Sequence, residues 1–215
     1  MRRRQGINRG TVACAVFACA AIAGCGGEGA ESFIDPYAMA QLRSVLSKEP
    51  PLPDGFTARP EQAWRMPFGQ VDDNCRALLE PVGGRAPSQA LTAQVAVSYQ
   101  GDGLGEQAGV GLARYAGARA EDHLDRLARA RDTCRAVRTS SGTDLRLRDL
   151  PVGAAGDEAV GARLQGRLNG YPYALDVVLS RVGDTLVSVV HTGMNQVDAD
   201  RTWKVVEAAV AMAGT

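Results

Sequence analysis

The stretch VGARLQGRLNGYPYALDVVLSRVGDTLVSVVHTG, residues 160 to 193, decides the fold. It carries two turn signals of different kinds. Asn169 and Gly170 suit a type I′ turn, whose two central residues both take positive φ, and Gly183 with Asp184 suits type II′, which needs it only at the first. Two-residue turns set the register of the strands they join. Leu168 then opposes Tyr171, Leu164 opposes Leu175 and Val160 opposes Leu179. Across the second turn Val182 opposes Thr185, Val177 opposes Val190 and Asp176 opposes His191. Alternation sorts the side chains of this three-stranded meander. Val160, Ala162, Leu164, Leu175, Val177, Leu179, Leu186 and Val190 share a core face. Arg163, Gln165, Arg167, Asp176, Ser180 and His191 share the other, among Val178, Val187 and Val189.

Outward from the meander, DLRLRDL (144–150) alternates as a further strand. TAQVAVSYQ (92–100) and QAGVGLARY (107–115) are two more, joined by the glycine-rich GDGLGE. Helical spacing marks four other segments. Asp35 followed by Pro36 is an N-cap with proline in the first turn, ahead of Ala38, Leu42, Val45 and Leu46. A short helix from about Asp72 to Glu80 puts Cys75, Leu78 and Leu79 on one side. ARAEDHLDRLARARDTC (118–134) has the longest pattern, with Ala120, Leu124, Leu127 and Cys134 on its apolar face. Asp198 caps a last helix with Val206, Ala209, Val210 and Met212 in a stripe. Residues 56–70 read as irregular. The fold class is α+β, an antiparallel sheet of about five or six strands with helices packed on one face.

The N-terminus has another character. A basic start (MRRRQGINRG), an apolar run (TVACAVFACAAIA) and a small-residue exit form the layout of a secretory signal peptide. The run is too short to span a bilayer, which takes about 20 apolar residues. The exit, Ile22, Ala23 and Gly24 before Cys25, resembles the bacterial lipobox. That resemblance implies a diacylglyceryl group on Cys25, cleavage before it, and Cys25 as the new N-terminus. Two acyl chains meet the requirement for stable anchoring. The expected organisation is a signal peptide (1–24), a lipidated cysteine and flexible tether (25–34) and a single domain (35–215). The arginines suit either the general secretory or the twin-arginine route.

Without residues 1–24 the chain has four more acidic than basic side chains. It lacks the basic footprint of a nucleic-acid binder. Cys75 and Cys134 are the cysteines left once Cys25 and the signal peptide are set aside, and an exported protein meets an oxidising compartment. A disulfide between the two helices is expected; the alternative is a pair of buried free thiols. His123 and His191 form no HxxxH or HxH pair, so no metal site is expected. GxSxG is absent, and the glycines of GDGLGEQAGVG join two strands with no GK[ST] after them. The sequence calls for no catalytic residue and no cofactor; an envelope hydrolase would need its catalytic groups dispersed along the chain. His123, beside Glu121 and Asp122, reads as solvated. One constellation stands out. Arg163, Asp176 and His191 lie side by side on three adjacent strands about 5 Å apart. They are either the polar anchor of a ligand cleft, pH-sensitive through His191, or an exposed charge ladder.

The order of these elements, a cysteine in an early helix (NCRALL), strands, ARAEDHLDRLARARDTC ending in a second cysteine, a meander and a closing helix, resembles the extracellular sensor domain of actinobacterial PknH-type receptor kinases and related lipoproteins. The resemblance spans roughly residues 71–212. It implies a ligand-binding α+β domain with a cleft and two disulfides, of which this chain has cysteines for one. The expected function is a lipid-anchored, extracytoplasmic ligand-binding or sensor-like module without catalysis, held on the membrane through diacylglyceryl-Cys25. Its partner is a small ligand or an envelope protein. The alternative is a structural or interaction lipoprotein of the envelope.

Overall fold

The computed structural model of the chain describes residues 33–48, 50–69 and 71–214. The expected signal peptide, Cys25 and most of the expected tether lie outside the described residues. Helix α1 (Pro36–Ser47) begins where an aspartate can replace the missing first-turn acceptor, the Asp35 carboxylate taking the Tyr37 N–H at 2.8 Å. Its Ala38, Leu42 and Leu46 are buried. Helix α2 (Asp73–Leu79) starts the same way, Asp72 accepting from the N–H groups of Asn74 and Cys75, and it runs into a 3₁₀ turn, Glu80–Gly83. Strands β1 (Leu91–Gln100) and β2 (Gln107–Tyr115) form a hairpin, followed by α3 (Arg119–Thr133). Then come β3 (Ala136–Arg138), β4 (Asp144–Asp149), β5 (Glu158–Leu168), β6 (Tyr171–Val182), β7 (Thr185–Gly193) and α4 (Ala199–Ala213), capped by Asp198.

All seven strands make one antiparallel sheet in the order β1-β2-β7-β6-β5-β4-β3. Helix α3 carries the chain from β2 across the sheet to the far edge, where β3 begins. The meander has the register its turns dictate, with Leu164 opposite Leu175, Val160 opposite Leu179, and Asp176 opposite His191. Asn169 (φ 49°) and Gly170 (φ 87°) both take the left-handed conformation, while at the second turn Gly183 does so at φ 59°. Those angles are the ones that types I′ and II′ demand.

Two features differ from the sequence expectation. The sheet has seven strands, because Ala136–Arg138 pairs with β4 directly after Cys134; three residues are too few for a period of two to be seen. The helices also cover both faces of the sheet. Every residue of β7 is buried. Leu175, Val177, Leu186 and Val190 pack with α2 and α3, whereas Val178, Val187 and Val189, on the opposite face, pack with α1 and α4. The valines among the polar residues are therefore the floor of a second core. Cys75 and Cys134 form a disulfide with Cα atoms 4.9 Å apart, tying α2 to the end of α3. No helix among the described residues is long and apolar enough to cross a membrane.

Candidate functional site

Arg163, Asp176 and His191 meet as the register requires, but under a roof. Asp176 is fully buried and His191 is 1% exposed. The first turn of α4 and the end of the 101–106 loop cover them. Arg163 donates through Nε and Nη2 to the two Asp176 oxygens at 2.5 and 2.6 Å, and Nη2 also reaches the Val197 carbonyl. The pairing raises the Arg163 pKa further still. Asp176 does not hold His191 directly. The Thr202 hydroxyl stands between them, 2.8 Å from Asp176 Oδ2 and 2.9 Å from His191 Nδ1. On its other side His191 Nε2 lies 3.0 Å from Glu106 Oε1, and Arg201 Nε is 2.7 Å from the same oxygen. The Arg201 guanidinium sits 4.7 Å over the Phe56 ring, whose neighbour at 5.7 Å is the His191 ring.

This chain of contacts has a proton requirement. With the Thr202 proton given to Asp176, His191 must donate at Nδ1, and the Glu106 carboxylate asks it to donate at Nε2 as well. The imidazolium would satisfy both; the neutral ring satisfies one of them, according to its tautomer. Burial nevertheless pushes the His191 pKa below its ordinary value, with Glu106 and Asp176 pulling the other way. For Glu106, burial alone would raise the pKa; the Gly103 N–H, His191 and Arg201 together outweigh it and hold the carboxyl below its usual range. The expected ligand anchor is thus an internal tie joining the sheet, α4 and the β1–β2 hairpin, with its charges used up inside the protein. His123 is not solvated either. It is fully buried against Tyr115, ring centroids 4.3 Å apart, with Nε2 2.8 Å from the Gln89 carbonyl.

A concave site lies elsewhere, in the segment that read as irregular. Residues 61–69 run over the β1–β2 end of the sheet on the face that α2 and α3 cover. Glu61 pairs with Ser98 through its backbone, and the Ser98 hydroxyl holds the Gln62 carbonyl at 2.7 Å. The sheet is shaved flat to receive this segment. A Cβ on Gly109 would stand 2.8 Å from the Trp64 and Val82 side chains, and one on Gly111 would stand 2.6 Å from the Pro81 carbonyl oxygen. Between this segment, α2 and the turn after it is a cavity of about 620 Å³. A second, of about 480 Å³, shares the wall from Gln62 to Arg65 and reaches Ser98 and Gln107.

The apolar side of the larger cavity is Trp64, Met66 and Phe68; its polar rim is Arg65, Arg76 and Arg85, with Glu80 as the one carboxylate among its lining residues. Arg85 lies 3.5 Å from Glu80. Arg76 is steadied by the Val71 carbonyl and Arg65 by Gln62, neither by an acid among the described residues. A guanidinium has five N–H donors, so each arginine keeps most of its capacity for a guest. The sequence signal was AWRMPF (63–68), large apolar residues and arginines in a stretch without period.

Comparison with known proteins finds no matching family model and no matching curated protein. Among solved structures the chain is similar to the extracellular domain of PknH from Mycobacterium tuberculosis, with a TM-score of 0.51 at 13% identity, covering 83% of this chain and 91% of that one. It is also similar to a putative uncharacterized protein from Mycobacterium smegmatis, with a TM-score of 0.47 at 15% identity over 85% of this chain and 98% of that one. At such identity the likeness to the PknH domain shows a shared fold. It is the fold that the order of helices, cysteines and strands implied.

Proposed function

We propose that the chain is a lipid-anchored, extracytoplasmic sensor-like module that captures a small anionic ligand with an apolar part, and that it performs no catalysis itself. The observation that carries this reading is the cleft. Its volume lies within the roughly 300–1,000 Å³ of small-molecule sites. It sets three guanidiniums against one carboxylate beside a Trp–Met–Phe wall. Arginine rather than lysine suits bidentate capture of a carboxylate or phosphate. The signal layout and lipobox at Cys25, the disulfide, and a fold in common with an extracellular domain support the location.

Octyl phosphate is a suitable probe, with octanol as its uncharged control, in isothermal titration and native mass spectrometry. Retention of octyl phosphate over octanol is expected, falling at least about tenfold when Arg65 and Arg76 are replaced by alanine. Unchanged retention in that variant overturns the cleft, and no retention by the parent favours the alternative, a structural or interaction lipoprotein. The anchor is tested separately. Cys25→Ala should release the protein from the membrane fraction or leave it unprocessed, and unaltered anchoring refutes lipidation.

A further inference from the structure

Among the described residues the exposed large apolar side chains are Phe33, Ile34, Tyr37, Leu104 and Tyr171, and three of them fall within five consecutive positions. Phe33 is 76% exposed, Ile34 46% and Tyr37 71%. They are presented on fixed backbone. The Asp35 N–H donates to the Thr92 carbonyl at 2.7 Å, at the start of β1, while the Asp35 carboxylate holds the Tyr37 N–H. Ala38, Leu42 and Leu46 of the same helix point into the core, so Tyr37 cannot turn inward without unpacking α1.

Eight peptide steps separate Phe33 from Cys25, at most about 29 Å of extended chain. If Cys25 is acylated, this end of the domain never leaves the neighbourhood of the headgroups. The chemistry of the patch also fits that zone. A tyrosine places an apolar ring and a polar tip where both are satisfied, as in the aromatic belts of membrane proteins. Charge does not contribute attraction. Between Cys25 and Arg43 the ionisable side chains other than Tyr37 are Glu28, Glu31 and Asp35, all acidic. A contact with lipid here is apolar, and it owes nothing to anionic headgroups.

We infer that Phe33, Ile34 and Tyr37 form an interfacial foot, which rests in the headgroup region of the bilayer beside the lipid anchor and fixes the orientation of the domain. The inference rests on the acylation of Cys25 proposed above. The Glu61–Ser98 bridge at the cleft lies six residues along β1 from Thr92, about 20 Å from the foot.

The test uses the acylated protein in phosphatidylcholine vesicles whose acyl chains are brominated near the headgroup. Trp64 is buried and Trp203 is half-buried on α4, and the parent's own quenching is the baseline. In a Tyr37→Trp variant we expect quenching at least about twofold above that baseline, unchanged by raised salt. Adding Phe33→Ser and Ile34→Ser should return it towards the baseline at unchanged thermal midpoint. Quenching no greater than the parent's, in protein whose mass shows the diacylglyceryl group, overturns the foot and leaves the anchor standing. Quenching that disappears in salt, or appears only with anionic lipid, overturns the apolar contact. A chain without acyl mass overturns the anchor and the foot together.

Discussion

Replacing Arg163 by methionine keeps most of the length of the side chain and removes the guanidinium. Asp176, with no exposed surface, then loses two of its three side-chain hydrogen bonds and the one cation paired with it among the described residues. Removing one partner of a buried pair costs about 3–5 kcal/mol. For a domain of this size that lowers the thermal midpoint by about 6–20 °C. The opposite single change should cost less. In Asp176→Leu the surviving charge is Arg163, whose side chain is 24% exposed and can turn to solvent, so roughly 1–3 kcal/mol is expected. The double variant, Arg163→Met with Asp176→Leu, leaves no charge behind and puts a leucine beside Val178 in the second core. It should recover at least about 2 kcal/mol relative to Arg163→Met alone. Urea unfolding followed by circular dichroism, with calorimetry as a check on two-state behaviour, measures all three. A double variant as unstable as the sum of the singles would refute the claim that the pair is a closed internal tie. So would an Arg163→Met variant within about 1 kcal/mol of the parent, since that requires Asp176 to have solvent or another partner.

Reducing the Cys75–Cys134 disulfide, or replacing both cysteines by alanine, opens a loop of 59 residues and should cost about 4 kcal/mol by chain entropy. Because α2 is one wall of the cleft, octyl phosphate binding should weaken with it, and a stability change under about 1 kcal/mol would contradict the account. Gly111→Ala should destabilise by about 1–3 kcal/mol, because the new Cβ meets backbone oxygen, while Gly69→Ala, with nothing within 4 Å, should stay within about 0.5 kcal/mol; equal effects in a denaturant titration would show that the close approach is not real. The pH dependence has a definite sign. His191 and His123 both have pKa values held below the ordinary 6.5, burial being the main cause, and Glu106 is held below 4.5. The unfolded chain therefore binds more protons than the folded one on the acid side, so stability is full above about pH 6.5 and falls as pH drops, first through the histidines and then through Glu106. His191→Gln should flatten the upper part of that limb in thermal melts, and an unchanged slope would exclude His191 from it.

The sheet was legible where local chemistry dictates geometry. Asn169-Gly170 and Gly183-Asp184 specify their turns by φ alone, and once the turns are placed every pairing from Val160 to Gly193 follows. The caps Asp35 and Asp198 were legible for the same reason. What alternation could not tell was which face meets solvent. Val178, Val187 and Val189 share a face with Asp176 and His191, and a mixed face of that kind is exposed or buried according to what packs on it. The outcome here depends on Thr202 and Arg201, on a helix well beyond Asp176 in the chain, and on Glu106 in a loop whose glycines drew the eye. His123 departs from its sequence reading on the same ground: its sequence neighbours Glu121 and Asp122 are acidic, whereas its neighbours in space include Tyr115 and the Gln89 carbonyl. The cleft was least legible, because residues 61–69 have no period and their position is set by Gly109 and Gly111 in a distant strand.

Charge accounting separates the two polar clusters. In the buried tie Arg163 is matched by Asp176 and Arg201 by Glu106, with Asp102 also within 3.2 Å of Arg201. Nothing is left over to attract a guest, and His191 fills the space between the two pairs. The rim of the cleft is different. Arg85 has Glu80, while among the described residues Arg65 and Arg76 have only neutral partners. That surplus sits on a domain whose other charges sum to the acidic side, so general basicity does not explain it. Arg65 and Arg76 both line the concavity, and no acid among the described residues is paired with either. The proposed anion would pair with both guanidiniums, and its apolar portion would lie against Trp64, Met66 and Phe68.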